Sequence, residues 1–157
     1  VGADPLAPPG PSSIPFSDGV PDVAGLAFDV LAGEAGDYMR RYYVQRGAQH
    51  IRFHEILTSD PGRHFHDHPW DYVSLMVAGA YTEHTPEGST HYAAPCLLVR
   101  QAEAAHRLEL TAPAWTYVVT GPPRRRWGFH TEAGWIYWRA YAGAGAVRGG
   151  DEGASAW

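Results

Sequence analysis

Beyond Gly47 the chain is cut into short apolar runs by turn-forming residues, and that division constrains the fold more than any other feature. Ile51 to Leu57, Tyr72 to Tyr81, Cys96 to Arg100, His106 to Leu110, Trp115 to Thr120 and Trp135 to Tyr141 are rich in β-branched and aromatic residues. Clusters of Gly, Pro, Asp or Thr separate most of them, and the 18 Gly and 13 Pro in 157 residues leave little room for long helices. Many short strands at close spacing predict an all-β sandwich or barrel. A chain of this length holds one core, so a single domain is expected over 23–141. Residues 1–22 carry Pro5, Pro8, Pro9, Pro11, Pro15 and Pro21 among small residues and read as a flexible arm. The Gly- and Ala-rich stretch 142–157 reads as a flexible tail. Between Val23 and Tyr43 the apolar sets around Phe28 and Leu31, then Tyr38, Met39, Tyr42 and Tyr43, predict short N-terminal helical pieces interrupted by Gly33 and Gly36.

Charge and composition narrow the function. The formal charge of -5 provides no global positive field, so neither nucleic acid nor an anionic membrane surface is an expected partner. All 12 basic residues are arginine, which excludes Schiff-base and phosphate-loop lysine chemistry. The single cysteine, Cys96, adjoins the apolar run Leu97-Leu98-Val99 and cannot form an internal disulfide, so a cytoplasmic location is expected. No apolar stretch is long enough to span a bilayer as a helix.

The chemistry concentrates in Arg63-His64-Phe65-His66-Asp67-His68-Pro69-Trp70, where three of the nine histidines alternate. In extended chain a period of two aims all three imidazoles at one side, spaced about 7 Å along the backbone, and two neighbours can converge on one ion. Imidazole suits Zn, Cu, Fe and Ni, and each ring needs an acceptor for its other nitrogen, a role open to Asp67 or Asp71. Alternating histidines also line ordinary polar strand faces, so the spacing alone does not establish a metal.

Residues further along the chain sharpen the reading. His66-x-His68 leads into a strand ending at Gly79, and His106 lies downstream of it. In this arrangement the sequence resembles the cupin superfamily, and His66-Asp67-His68-Pro69-Trp70 with Gly121-Pro122 and Trp127-Gly128-Phe129 resembles a group of small bacterial and phage cupins. The resemblance implies a double-stranded β-helix, or jelly-roll barrel, whose cavity holds one divalent transition metal through His66, His68 and His106. Gly79 matches the family's turn. The family's glutamate falls at position 72, where this chain has Tyr72, and the second motif's asparagine has no counterpart because the sequence contains none. A competing register pairs His64 with His66 and puts Asp71 at the glutamate's place; His66 is a ligand in both.

Three histidines leave coordination positions open, as catalysis requires. The expected activity is that of a non-haem Fe(II) oxygenase acting on a small polar or anionic metabolite, with Zn, Mn or Ni as alternative ions. Two alternatives stay open. One is a redox-neutral isomerase, epimerase, decarboxylase or hydrolase at the same site, the other a non-catalytic ligand-binding cupin. His54 is the expected proton carrier and Tyr72 a further catalytic candidate. Arg52 shares the side of His54 by alternation; with Arg100, Arg139, Trp70 and Tyr117 it is a candidate for binding substrate. Glu83 ranks lower, as a residue that solvates an edge strand, and Arg124-Arg125-Arg126 reads as a solvated loop. Exposed sheet edges predict a homodimer.

Overall fold

The computed structural model describes residues 16–17, 20–21, 28–33, 36–45 and 50–141. The expected tail, and all of the expected arm except two dipeptides, lie outside the described residues. Those dipeptides are β1 (Phe16–Ser17) and β2 (Val20–Pro21), which pair with each other.

Six strands form the main sheet: β3 (Phe28–Gly33), β4 (Gly36–Gln45), β5 (His50–Ile56), β7 (Tyr72–Ala78), β10 (Cys96–Arg100) and β12 (Ala114–Thr120), in the order β10-β7-β12-β5-β4-β3. Facing it are two three-stranded sheets. One orders β11 (Arg107–Glu109), β8 (Ala80–Thr85) and β9 (Gly88–Ala93); the other orders β14 (Gly134–Tyr137), β13 (Gly128–Thr131) and β6 (Phe65–His66). An antiparallel bridge between His66 and His106 joins these two sheets into a second layer. A single helical turn, α1 (Trp138–Tyr141), follows β14.

Strands β3 and β4 pair antiparallel, which corrects the expected N-terminal helical pieces over the described residues; residues 23–27 lie outside them. The i, i+3 spacing of Phe28 and Leu31 suits a helix, but β4 finds a partner in β5, with Met39 opposite Ile56 and Tyr42 opposite Phe53. Sheet pairing at the centre of the fold overrides a weak local preference. The run expected as one strand over Trp135 to Tyr141 likewise divides into β14 and α1.

The apolar run from Tyr72 to Tyr81 splits at Gly79, where the chain leaves the main sheet for the second layer. Gly79 has φ +79°, and a Cβ there would lie 2.4 Å from the Pro113 carbonyl oxygen, so no other residue fits this corner. Between the layers, Met39, Ile56, Met76, Tyr81, Leu98, Leu108 and Ala114 pack as the core. Each such large side chain contributes about 1.5–3 kcal/mol on burial. The core fills one part of the interior, and the histidines occupy the other.

Candidate metal centre

Backbone pairing explains how histidines from distant stretches meet. His66 donates its N–H to the His106 carbonyl at 2.8 Å and accepts the His106 N–H at 2.9 Å. Residues opposite each other in an antiparallel pair project to the same face, and their ring centroids lie 4.8 Å apart. Two residues on, the His68 N–H donates to the Ala102 carbonyl at 2.9 Å, and period two returns its ring to the face of His66. The ligand nitrogens of His66, His68 and His106 all lie within 4.8 Å of one another, and the Nε2 atoms of His68 and His106 are 3.0 Å apart.

Asp67 points the other way and anchors the motif from behind. It is 1% exposed and accepts the Gly128 backbone N–H at 2.8 Å, the Trp135 indole N–H at 2.9 Å and His130 Nε2 at 3.1 Å, with Arg125 at 2.9 Å. Asp71 binds Arg124 and the Ala102 N–H at the surface. Neither aspartate is the acceptor behind a cavity histidine that the spacing suggested.

The acceptor is Glu83, with Asp60 as a nearby charge, and the sequence pattern ranks the first low and conceals the second. Glu83 is 3% exposed, and its Oε1 lies 2.6 Å from His106 Nδ1. A carboxylate accepts only, so Nδ1 carries a proton, and Nε2 is the nitrogen turned towards the other histidines. Asp60 accepts the Leu108 N–H at 2.7 Å and the Tyr38 hydroxyl, and stands 3.7 Å from His66 Nδ1. One signal for Glu83 was available: it alternates with Tyr81, a large residue that β8 directs inward. Asp60 sits in Thr58-Ser59-Asp60-Pro61-Gly62, whose composition marks a turn and conceals a buried carboxylate.

A cavity of about 90 Å³ opens beside the three imidazoles, and His54, Trp70, Tyr72 and Arg100 line it. The Trp70 ring stacks on His68 at 4.9 Å and 12°, and Tyr72 meets His68 edge-on at 4.9 Å. His54 Nε2 is buried with no hydrogen-bond partner. Arg100 is engaged by Glu83, so it offers no free guanidinium to a substrate.

The remaining candidates lie elsewhere. Arg52 holds its guanidinium over the rings of Trp70 and Tyr43, outside the lining. Tyr117 packs on Phe53 at 4.8 Å on the outer face of the sheet. Arg139 is exposed on α1 over Trp138, because the strand that would have aimed it inward has already ended. His64 binds Tyr141 and Glu132, and Asp71 binds Arg124, so the competing register finds no ligands at these positions.

The electrostatics suit a metal centre. Burial pushes the His66 imidazole down to about 4, partly opposed by the Asp60 charge and reinforced by His106. Burial, then His66 and His106, likewise holds His68 well below the usual histidine range. Both rings are neutral near pH 7 and present lone pairs, as ligands must. Burial and the neighbouring Glu83 raise the Tyr72 hydroxyl well above its ordinary value, so it stays a protonated phenol. Three converging imidazoles, one of them oriented by a carboxylate, form a donor set that fits a divalent transition ion.

The sequence matches no family profile and no curated protein. Solved structures do resemble the fold. A cupin-2 domain from Rhodospirillum rubrum shares 14% identity over 71% of this chain and 79% of that one, with a TM-score of 0.59. A cupin-superfamily sugar phosphate isomerase from Silicibacter pomeroyi shares 12% identity over 74% and 89%, with a TM-score of 0.54. The Fe(II) form of HppE shares 15% identity over 67% and 62%, with a TM-score of 0.53. Identities this low establish the fold alone: this chain is an all-β barrel like those of these cupin structures.

Proposed function

We propose that the chain is a metal-dependent enzyme in which His66, His68 and His106 hold one divalent ion, Fe(II) in the first instance, and that it oxidises a small polar or anionic metabolite. The observation that carries this reading is the convergence of three imidazole nitrogens within 4.8 Å, with His106 Nδ1 held by a buried carboxylate. An Fe(II) cupin enzyme among the structural neighbours supports the choice of ion. Held by His66, His68 and His106, an Fe(II) ion would supply redox chemistry with dioxygen that no side chain here supplies alone.

The chain's own groups have separate tasks. Trp70 and the core residues Ile56 and Leu98 wall the cavity and keep bulk water from it. The Tyr72 hydroxyl, held protonated, donates to an oxygen of the bound substrate. His54, kept neutral by burial and by Arg41 and Arg52, takes up or returns a proton at Nε2. Anaerobic purification, metal analysis and oxygen uptake with Fe(II) and a panel of small hydroxy and keto acids test the reading. Turnover restricted to the Fe(II) form supports it, and absence of oxygen consumption at any ion opposes it.

A redox-neutral reaction is the second reading, favoured by the pairing of a free buried base with a phenol in one cavity. His54 and Tyr72 are the groups an isomerisation needs, and one structural neighbour is named as a sugar phosphate isomerase. Activity with Zn, Mn or Ni in the absence of oxygen separates it from the first.

We also propose that the chain works as a homodimer. On the outer face of the main sheet, Leu97, Leu75 and Tyr117 form one cross-strand row, and Val99, Val73 and Val119 form the next. The rows end at the open edge of β10, where Leu97 is 64% and Val99 68% exposed. An uncharged apolar grid beside an edge that no described strand pairs suits a second copy of the same strand related by a two-fold axis.

A further inference from the structure

Among the described residues no carboxylate joins the three imidazoles as a potential ligand, and Tyr72 stands where the cupin pattern has glutamate. A carboxylate nevertheless serves this site from one step further out. Glu83 reaches it from β8, a strand beyond the corner at Gly79, and makes its 2.6 Å contact through Oε1 to His106 Nδ1. The same carboxylate receives Arg100 from the opposite layer: Nε lies 3.2 Å from Oε1, and Nη2 donates to Oε2. Arg100 is steadied in turn by the Tyr92 hydroxyl at 3.2 Å.

The two contacts on Glu83 act in opposite senses on His106. A carboxylate on Nδ1 fixes the ring and makes Nε2 a stronger donor to a metal. A guanidinium on that carboxylate withdraws part of its charge and moderates the effect. We propose that Glu83 is a positioning residue for the metal centre, acting through His106, and that Arg100 is its counter-charge. The inference rests on the metal-centre reading above, and it replaces the expected role of Arg100 as a substrate anchor.

A plain ion pair tying the two layers together would also place Glu83 against Arg100, but it makes a different prediction. Removing either end of a structural tie harms the protein in the same direction. In the proposed arrangement the two ends differ: loss of Glu83 weakens the ion's site, and loss of Arg100 leaves it equal or tighter.

The test titrates Co(II), followed by its visible absorption and by chelator competition, into the metal-free full chain and its Glu83→Ala, Glu83→Gln and Arg100→Gln variants. The expected result is a roughly 10- to 100-fold weaker Kd for Glu83→Ala with a shifted Co(II) spectrum. Glu83→Gln keeps the volume and an acceptor for Nδ1, so it should fold where Ala does not and show a smaller loss in the same direction. Arg100→Gln should lower thermal stability yet bind Co(II) at least as tightly as the parent. Equal weakening by Glu83→Gln and Arg100→Gln, or Glu83 variants that fold and bind as the parent does, overturns the inference alone. A parent chain that binds no Co(II) overturns the metal centre itself.

Discussion

His66 and His106 sit directly opposite each other and exchange both backbone hydrogen bonds, at 2.8 and 2.9 Å. This single pair closes the second layer of the barrel and sets two imidazoles on one face, so the fold and the site depend on the same contact. His68 then joins them by strand alternation, and Asp67 between His66 and His68 pins the backbone from the reverse side.

Asp67→Ala should therefore destabilise the chain although it removes no proposed ligand. The substitution leaves the Gly128 N–H, the Trp135 indole and Arg125 without their buried acceptor. A loss of about 3 kcal/mol in urea unfolding is expected, in the range for breaking a buried charged network. A loss below about 0.5 kcal/mol, the scale of surface substitutions, would show that these contacts are dispensable.

Acid should destabilise the metal-free chain first through its buried histidines His54, His66 and His68 and then through Glu83. The His66 imidazole is held down to about 4 from 6.5, so between those values the unfolded chain takes up a proton that the folded one refuses, and stability falls by roughly 3 kcal/mol as pH drops. Burial raises the Glu83 carboxyl, but hydrogen bonds from His106 and Arg100 outweigh it and bring the group to about 2 from 4.5. Its contribution is present above 4.5 and is lost as pH falls from there towards 2. Urea midpoints measured from pH 8 downwards should begin to fall near pH 6.5, and His66→Gln should reduce that fall without abolishing it, because His54 and His68 share it. A curve level down to pH 4.5 contradicts this.

His54→Gln should separate catalysis from metal binding. His54 lines the cavity without belonging to the ligand set, so the variant should retain its ion and its fold while turnover drops about 10²- to 10⁴-fold. Steady-state rates beside metal analysis check this, and unchanged turnover removes His54 from the mechanism.

Leu97→Glu should dissociate the proposed dimer. It places a charge at a position 64% exposed on the open edge strand, against its own copy across the two-fold axis. Sedimentation should show a dimer for the parent and a monomer for the variant, with no loss of fold. A parent that sediments as a monomer at every concentration contradicts the proposal.

The barrel is legible in the sequence because its signals are local and repeated. Cys96 to Arg100 forms a strand over those same residues, and Gly79 proves to be a corner that admits no side chain. The strand pair β3 and β4 is hidden because the pairing of β4 with β5 is decided across the chain, while the local spacing suits a helix equally well. At the site, the alternation of His66 and His68 is readable, since period two is a property of the strand itself. Glu83 and Asp60 are not recognisable in the same way, because what distinguishes a buried carboxylate from a surface one is the partner it meets, here His106 and Leu108, far away in sequence. Arg100 and Arg139 show the same limit: one is consumed by Glu83 and the other turned outward by a helical turn.

The most direct measurement is the metal content per chain of protein loaded with Fe(II) under anaerobic conditions and then desalted, compared with His66→Ala and His106→Ala prepared in the same way. The account predicts one ion per folded chain for the parent and none retained by either variant, with circular dichroism unchanged. A parent that retains no ion, or variants that keep as much metal as the parent, would contradict it.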